Sequence, residues 1–223
     1  MGNTRRKILK AIGGVIGIGA ASVAGGMGWL TVKSREDELN YDLPDIEPVA
    51  GELPPTRACG EGATIAQTEG PYYTPDTPNK PSLIEPGMKG QRLVFKGRIV
   101  TTDCQPVAGA VLDVWSCDAD GVYHNDDYTL RGHVFTDAEG RFEIETIRPS
   151  MYKDFGFFRT PHLHVKLQGK GTALLTTQVY FPDEDTNAED SIFDESLLMS
   201  LESQDDGSVI GEFEFVLAPA TNA

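Results

Sequence analysis

The sequence predicts an all-β fold, a β-sandwich of mostly antiparallel strands with long loops and little helix. Three observations predict it. Short runs rich in β-branched and aromatic residues recur along the chain from Gln91 onward. Gly and Pro separate those runs at nearly every junction. Phe142, Ile144 and Thr146 alternate with Glu143 and Glu145, the period of a half-buried strand.

The elements follow in order. Arg92 to Thr102 and Ala110 to Ser116 read as strands, with Pro106 and Gly109 marking a turn between them. Val134 to Thr136 and Arg141 to Thr146 read as a hairpin around Asp137-Ala138-Glu139-Gly140. His162 to Leu167 and Leu174 to Phe181 read as a second pair around Gly169-Lys170-Gly171. Val209 to Leu217 is a last strand, with Phe213, Phe215 and Leu217 on one face. Ser191 to Leu201 is the one stretch that suggests a helix, and a short one. There is no internal repeat and no low-complexity run.

The 223 residues leave room for one compact domain plus an N-terminal appendage. Residues 59–223 read as that domain, 31–58 as a polar, proline-containing linker or extended arm, and 1–30 as a targeting segment. The segment starts with a basic patch, Thr4-Arg5-Arg6-Lys7-Ile8-Leu9-Lys10, and continues through an uncharged, Gly- and Ala-rich stretch to Leu30. Ser22-Val23-Ala24 offers small residues where a signal peptidase reads. This is the layout of a bacterial export signal of the twin-arginine type, and it predicts an exported protein, periplasmic, extracellular or at the cell surface. The alternative is a retained membrane tether through residues 1–30, since about 20 apolar residues span a bilayer.

The formal net charge is −15, with 19 basic residues against 34 acidic. That balance excludes a nucleic-acid partner, because no excess of Lys and Arg is present to neutralise phosphates. It would also repel an anionic substrate unless a local cation compensates. Cys59, Cys104 and Cys117 are the only cysteines. If Cys104 and Cys117 flank a hairpin, antiparallel register holds them several residues apart, so a bridge from Cys59 to one of them is expected. Their spacing fits no CxxC zinc pattern.

His162-Leu163-His164 is the sharpest local signal. On a strand, residues i and i+2 share a face, so two imidazoles project together at a spacing that suits one metal ion. The chain has only two further histidines, His124 and His133, so a three-histidine zinc or copper site would have to recruit one of them. Two oxygen donors stand nearby in sequence: Tyr123, just after a strand, and Tyr152, in a loop feeding the histidine strand.

Longer motifs surround these residues. Gln67-Thr68-Glu69-Gly70-Pro71-Tyr72-Tyr73 comes first, then Val114-Trp115-Ser116-Cys117-Asp118-Ala119-Asp120-Gly121-Val122-Tyr123. Arg131-Gly132, Thr136-Asp137, Gly140, Thr146-Ile147-Arg148-Pro149 and Tyr152 follow, then Arg159-Thr160-Pro161-His162-Leu163-His164 and Gln178-Val179-Tyr180-Phe181. Over residues 65–183 this run resembles the intradiol ring-cleavage dioxygenases, the family of catechol 1,2- and protocatechuate 3,4-dioxygenases, and in its cysteines their exported single-domain branch.

The resemblance implies one Fe(III) per chain, held by Tyr123, Tyr152, His162 and His164. Phenolate oxygens suit a hard ferric ion, and imidazole completes the set. It implies Tyr152 as a ligand that leaves the metal and acts as a base, Arg159 as a fixed cation beside developing negative charge, and Gln178 as a further catalytic residue. The substrate would be a catechol-type aromatic diol with O2, and the product a cis,cis-muconate-type diacid. The stretch between Tyr152 and His162 departs from the family: it is short, rich in Phe155, Phe157 and Phe158, carries Lys153, and lacks the Trp of protocatechuate-cleaving members. No long N-terminal helical region stands where catechol 1,2-dioxygenases dimerise. The competing reading is a non-enzymatic exported β-sandwich binding module, since fold alone does not fix function.

Overall fold

A computed structural model describes residues 39, 41–48, 62–154 and 156–220. The expected targeting segment, residues 1–30, and Cys59 lie outside them. The strands are β1 (Arg92–Thr101), β2 (Val111–Trp115), β3 (Arg131–Phe135), β4 (Arg141–Ile147), β5 (Tyr152–Asp154), β6 (Phe157–Arg159), β7 (His162–Gln168), β8 (Leu175–Tyr180), β9 (Ser200–Ser203) and β10 (Val209–Leu217). They form two four-stranded sheets, ordered β4-β1-β10-β9 and β3-β2-β7-β8, and a small β5-β6 hairpin.

Period-two alternation explains the packing. Leu93, Phe95 and Ile99 of β1 point inward with Phe142 and Ile144 of β4 and Phe215 and Leu217 of β10. Leu112, Val114, Leu163, Val165, Leu167 and Val179 meet them from the second sheet. Phe95 and Phe142 pack at 5.2 Å between centroids, and Phe142 and Phe215 at 5.9 Å. Each such fully buried side chain contributes about 1.5–3 kcal/mol, which makes this shared layer the source of the fold's cohesion.

Two expectations need correction. The segments around Pro106 and Asp137 do not connect paired strands: β1 and β2 lie in different sheets, and so do β3 and β4. The turn chemistry is real, since Asp137 Oδ1 accepts from the Glu139 and Arg141 amides. But the chain uses that turn to cross between sheets, and turn residues do not say which strand a strand will pair with. Second, the helix expected at Ser191 to Leu201 shrinks to one 3-10 turn, Glu195–Leu197, after which β9 begins at Ser200. The ladders are mostly antiparallel, as expected; β10 pairs with β1 in parallel, from Leu93↔Val209 to Thr101↔Leu217.

The β7–β8 hairpin forms as expected, with His162↔Tyr180 and His164↔Gln178 in register. Cys104 is disulfide-bonded and Cys117 is a buried free thiol. Part of the expected linker lies against the second sheet: the Tyr41 hydroxyl donates to Asp113 Oδ2 at 2.9 Å.

Candidate metal centre

The candidate site sits on the outer face of the β3-β2-β7-β8 sheet. Leu163, Val165 and Leu167 of β7 fill the core, so His162, His164 and Lys166 must project the other way. The register sets Arg131, Trp115, His164 and Gln178 in one row across the four strands. His133, Asp113, Lys166 and Thr176 form the next row. An outer sheet face is normally wetted, yet all of these except Thr176 are buried. The Gln67–Tyr73 segment, the loop after β2 and the β5-β6 hairpin bring further side chains to this face.

The two histidine Nε2 atoms lie 3.1 Å apart. Two imidazole nitrogens bound at about 2.0–2.1 Å to one ion, roughly at right angles, would be about 3 Å apart. His162 Nδ1 is 2.7 Å from the Thr160 carbonyl oxygen, which can only accept. Nδ1 therefore carries the proton, and the Nε2 lone pair faces His164. Burial, with the Arg159 charge behind it, pushes His162 down to about 3. Burial, His162 and Arg159 push His164 well below its ordinary value. Both rings are thus neutral at physiological pH, as metal ligands must be. Trp115 stacks on the His164 ring at 4.8 Å and 7°, fixing its plane.

Tyr123 reaches the site on a loop built by Asp118. One carboxylate oxygen of Asp118 accepts from the Asp120 and Val122 amides, each at 2.9 Å, and the other meets His124 Nε2 at 2.9 Å. Gly121 has φ +81°, and a Cβ there would lie 2.8 Å from the Met151 carbonyl oxygen. That close approach sets Tyr123 beside Tyr152. The four rings form a circuit: Tyr123–Tyr152 at 5.4 Å, Tyr152–His162 at 5.8 Å, His162–His164 at 4.7 Å and His164–Tyr123 at 6.2 Å. The Tyr123 hydroxyl is buried and finds no hydrogen-bond partner among the described residues. The Tyr152 hydroxyl lies close enough to disturb it without meeting hydrogen-bond geometry. Burial and then Tyr152 raise the Tyr123 phenol well above its ordinary value. Burial also raises Tyr152, against the opposing effects of Tyr123 and Arg159. An unpartnered buried hydroxyl costs about 1–3 kcal/mol, and a cation bound between these rings would remove that cost. Two neutral imidazoles and two phenols are a donor set that fits a hard trivalent ion.

Arg159 stands cross-strand from Tyr152 on the hairpin. Its Nε donates to Asp190 Oδ2 at 2.9 Å, and its Nη2 donates to Gln178 Oε1 and to the Tyr180 hydroxyl at 3.4 Å. Burial opposes the Arg159 charge, but Asp190, Tyr152 and Tyr180 outweigh it and hold the guanidinium above its ordinary value. Gln178 is fully buried, and its Nε2 donates to the Thr68 carbonyl at 3.1 Å. Its visible work is to tie Arg159 to the Gln67–Tyr73 segment.

His124 and His133 are not brought to this point: His124 pairs with Asp118 and His133 with Thr77. Among the described residues no three His, Cys, Asp or Glu side chains converge. The side-chain donors that stand beside the histidine pair are the two phenols. Of the three phenylalanines, Phe155 lies outside the described residues, Phe158 is half-buried, and Phe157 is 64% exposed instead of filling the core. A broad concavity of about 1000 Å³ lies on the outer face of the other sheet, lined by Lys96, Arg98, Arg141 and Glu212, far from this chemistry.

Sequence reasoning passed over three neighbours of the site. Arg131 is fully buried and donates to the carbonyl oxygens of Tyr72 and His124 and to Asn125 Oδ1, with no carboxylate ion pair among the described residues. The Tyr72 ring stacks on Tyr123 at 4.2 Å and 11°. Both stood inside the quoted motifs without a role. Asp190 lay beyond them, and only the fold brings it to Arg159.

A family model described as Dioxygenase matches residues 68–219. The chain belongs to the intradiol ring-cleavage dioxygenase family. Hydroxyquinol 1,2-dioxygenase of Rhizobium sp. (strain MTP-10005) is 30% identical over 69% of this chain and 60% of its own length. Catechol 1,2-dioxygenase of Candida albicans is 27% identical over 66% and 58%. This intradiol-family chain thus spans about three fifths of the length of those relatives. Among solved structures, the dioxygenase domain of a dioxygenase carbohydrate-binding protein fusion from Streptomyces sp. SirexAA-E is 41% identical. It covers 71% of this chain and 99% of that one, with a TM-score of 0.66.

Proposed function

We propose that this protein is a non-haem Fe(III) intradiol dioxygenase that cleaves a catechol-type ring with O2 to a cis,cis-muconate-type diacid. The observation that carries the reading is the ring circuit: two neutral imidazoles with Nε2 atoms 3.1 Å apart, facing a buried phenol that has no partner of its own. Tyr123, Tyr152, His162 and His164 would hold the iron. When bound, Fe(III) would draw electron density from the chelated diol and make the ring reactive toward O2.

The chain's own residues supply the rest. Tyr152 is only half-buried and sits on a three-residue strand, which supports it as the phenol that leaves the metal. As a phenolate, its Oη takes one proton from a substrate hydroxyl. Arg159 holds a fixed positive charge beside the ring as negative charge develops on carbon and oxygen. Gln178 and Tyr180 hold that guanidinium from one side. Trp115 keeps the His164 ring from rotating, and the buried sheet face excludes bulk water, which strengthens each of these interactions.

The chemistry is tested by supplying catechol and ¹⁸O₂ to the purified protein. The expected result is a ring-opened diacid carrying both labelled atoms. An unlabelled or singly labelled product contradicts it.

We also propose export by the twin-arginine route. The arginine pair before an uncharged segment supports it, as does the disulfide at Cys104, because such bonds persist in oxidising compartments. Retention in the cytoplasm of a strain able to secrete twin-arginine substrates would contradict it.

A further inference from the structure

Arg159 must be held within a fraction of an ångström to act as a fixed cation, yet its own platform is slight. The β5-β6 hairpin has three residues in each strand, and the arginine side chain is long and rotationally free. The restraint has to come from elsewhere in the chain. It comes from the segment after β8, where a 3-10 turn, Asp185–Glu189, delivers Asp190 to the site.

Asp190 is buried, and each of its oxygens is used. Oδ2 accepts from Arg159 Nε at 2.9 Å and from the Thr160 amide at 3.1 Å, while Oδ1 accepts from the Ile192 amide at 3.1 Å. The neighbouring turn adds to the grip: Asn187 Oδ1 accepts from the Thr160 hydroxyl at 2.9 Å, and Asn187 Nδ2 donates to the Phe181 carbonyl at 2.8 Å. The Thr160 carbonyl in turn accepts from His162 Nδ1. One carboxylate therefore braces the peptide between Arg159 and Thr160, with the guanidinium on one side of it and the His162 imidazole on the other. Gln178 holds the guanidinium at its other edge.

We propose that Asp190 is the positioning residue for Arg159: it fixes the guanidinium at the reacting ring, and loss of its carboxylate releases the cation while leaving the ligand set in place. The proposal rests on the ring-cleavage reading above. The bland alternative is that Asp190 only closes its own loop through the Ile192 amide.

The test is a double-mutant cycle on the full, iron-loaded chain, with Asp190→Asn, Arg159→Gln and both together, and catechol turnover normalised to bound iron. Asp190→Asn is expected to lower kcat about 10- to 100-fold. Its KM should stay within about threefold, the signature of an interaction realised in the transition state. Arg159→Gln should lower kcat by about 10²–10³. The double variant should fall within about twofold of Arg159→Gln alone, because residues acting as a unit are not additive. A double variant slowed by the product of the two single effects would overturn the proposal, and so would an Asp190→Asn enzyme with wild-type kcat.

A second readout needs neither turnover nor a variant at Asp190. In the iron-free full chain, the Arg159 Nε–H resonance, assigned by its loss in Arg159→Gln, should exchange slowly with water in the wild type. Rapid exchange there would overturn the proposal even if Asp190→Asn did not fold. A wild-type protein that holds no ferric iron or opens no ring sinks the ring-cleavage reading instead, and the exchange result still decides whether Asp190 grips Arg159.

Discussion

The two sheets of this sandwich bury the same kind of face and expose very different ones. Outside the β4-β1-β10-β9 sheet, Lys96, Arg98, Arg141, Glu143, Glu212 and Glu214 line an open surface. Lys96 meets Glu212 at 3.1 Å with both side chains wet. Outside the β3-β2-β7-β8 sheet, Arg131, Asp113, Lys166, His162, His164 and Gln178 are as polar, but they are buried. The lesson is that polarity alone locates nothing. Buried polarity is expensive, so each buried group needs a partner, and a missing partner points to a bound group where other donors converge beside it, as the histidine pair does at Tyr123. On the wet sheet the charges answer to water. On the covered one, the Tyr123 hydroxyl answers to nothing among the described residues.

The contrast can be broken experimentally, and the largest effect belongs to the ligand set. His164→Ala should reduce iron content and ring-cleavage activity by at least about a hundredfold, read by metal analysis and oxygen uptake. Arg131→Met comes next. It strands the Tyr72 and His124 carbonyls and the Asn125 amide, and should lower stability by about 2–4 kcal/mol in urea unfolding. Arg131→Lys should restore only part of that, because an ammonium cannot reproduce the planar fork.

Asp113 sharpens the comparison through pH. Burial raises its carboxyl to about 6 despite donors from Thr77, Tyr41 and Tyr73. A folded-state value above the unfolded one means the native state holds the proton longer, so this contribution falls as pH rises from about 4 to about 6 and is flat beyond. The lost stability is on the order of 2–3 kcal/mol. Urea midpoints across that window should decline in the wild type relative to Asp113→Asn. Parallel curves would contradict the assignment. The smallest effect belongs to the wet sheet: Lys96→Ala should change stability by no more than about 0.5 kcal/mol, read by thermal unfolding.

Much of this was legible in the sequence, for identifiable reasons. Alternation such as Phe142, Ile144 and Thr146 against Glu143 and Glu145 reports which face of a strand is buried, and it predicted the sandwich. It does not report the partner strand. The crossing from β3 to β4 and the parallel β1–β10 pair therefore stayed hidden behind ordinary turn residues. His162 and His164 were visible because their geometry is local, two residues apart on a strand. Tyr123 and Tyr152 carry no local mark and became visible only through the motifs around them. Asp190 was invisible, since its link to Arg159 spans 31 residues and runs through a loop with no motif. Arg131 was in view as part of Arg131-Gly132, but a sequence does not say that an arginine is fully buried.

The central claim is that two phenols and two imidazoles of this chain hold a ferric ion that takes up a diol directly. The most direct test is the visible spectrum of aerobically purified, iron-quantified protein, before and after adding catechol under nitrogen. A phenolate-to-Fe(III) charge-transfer band should move to longer wavelength with catechol, and in Tyr123→Phe the resting band should weaken and shift. A colourless protein that takes up no Fe(III), or a band untouched by Tyr123→Phe, would contradict that claim.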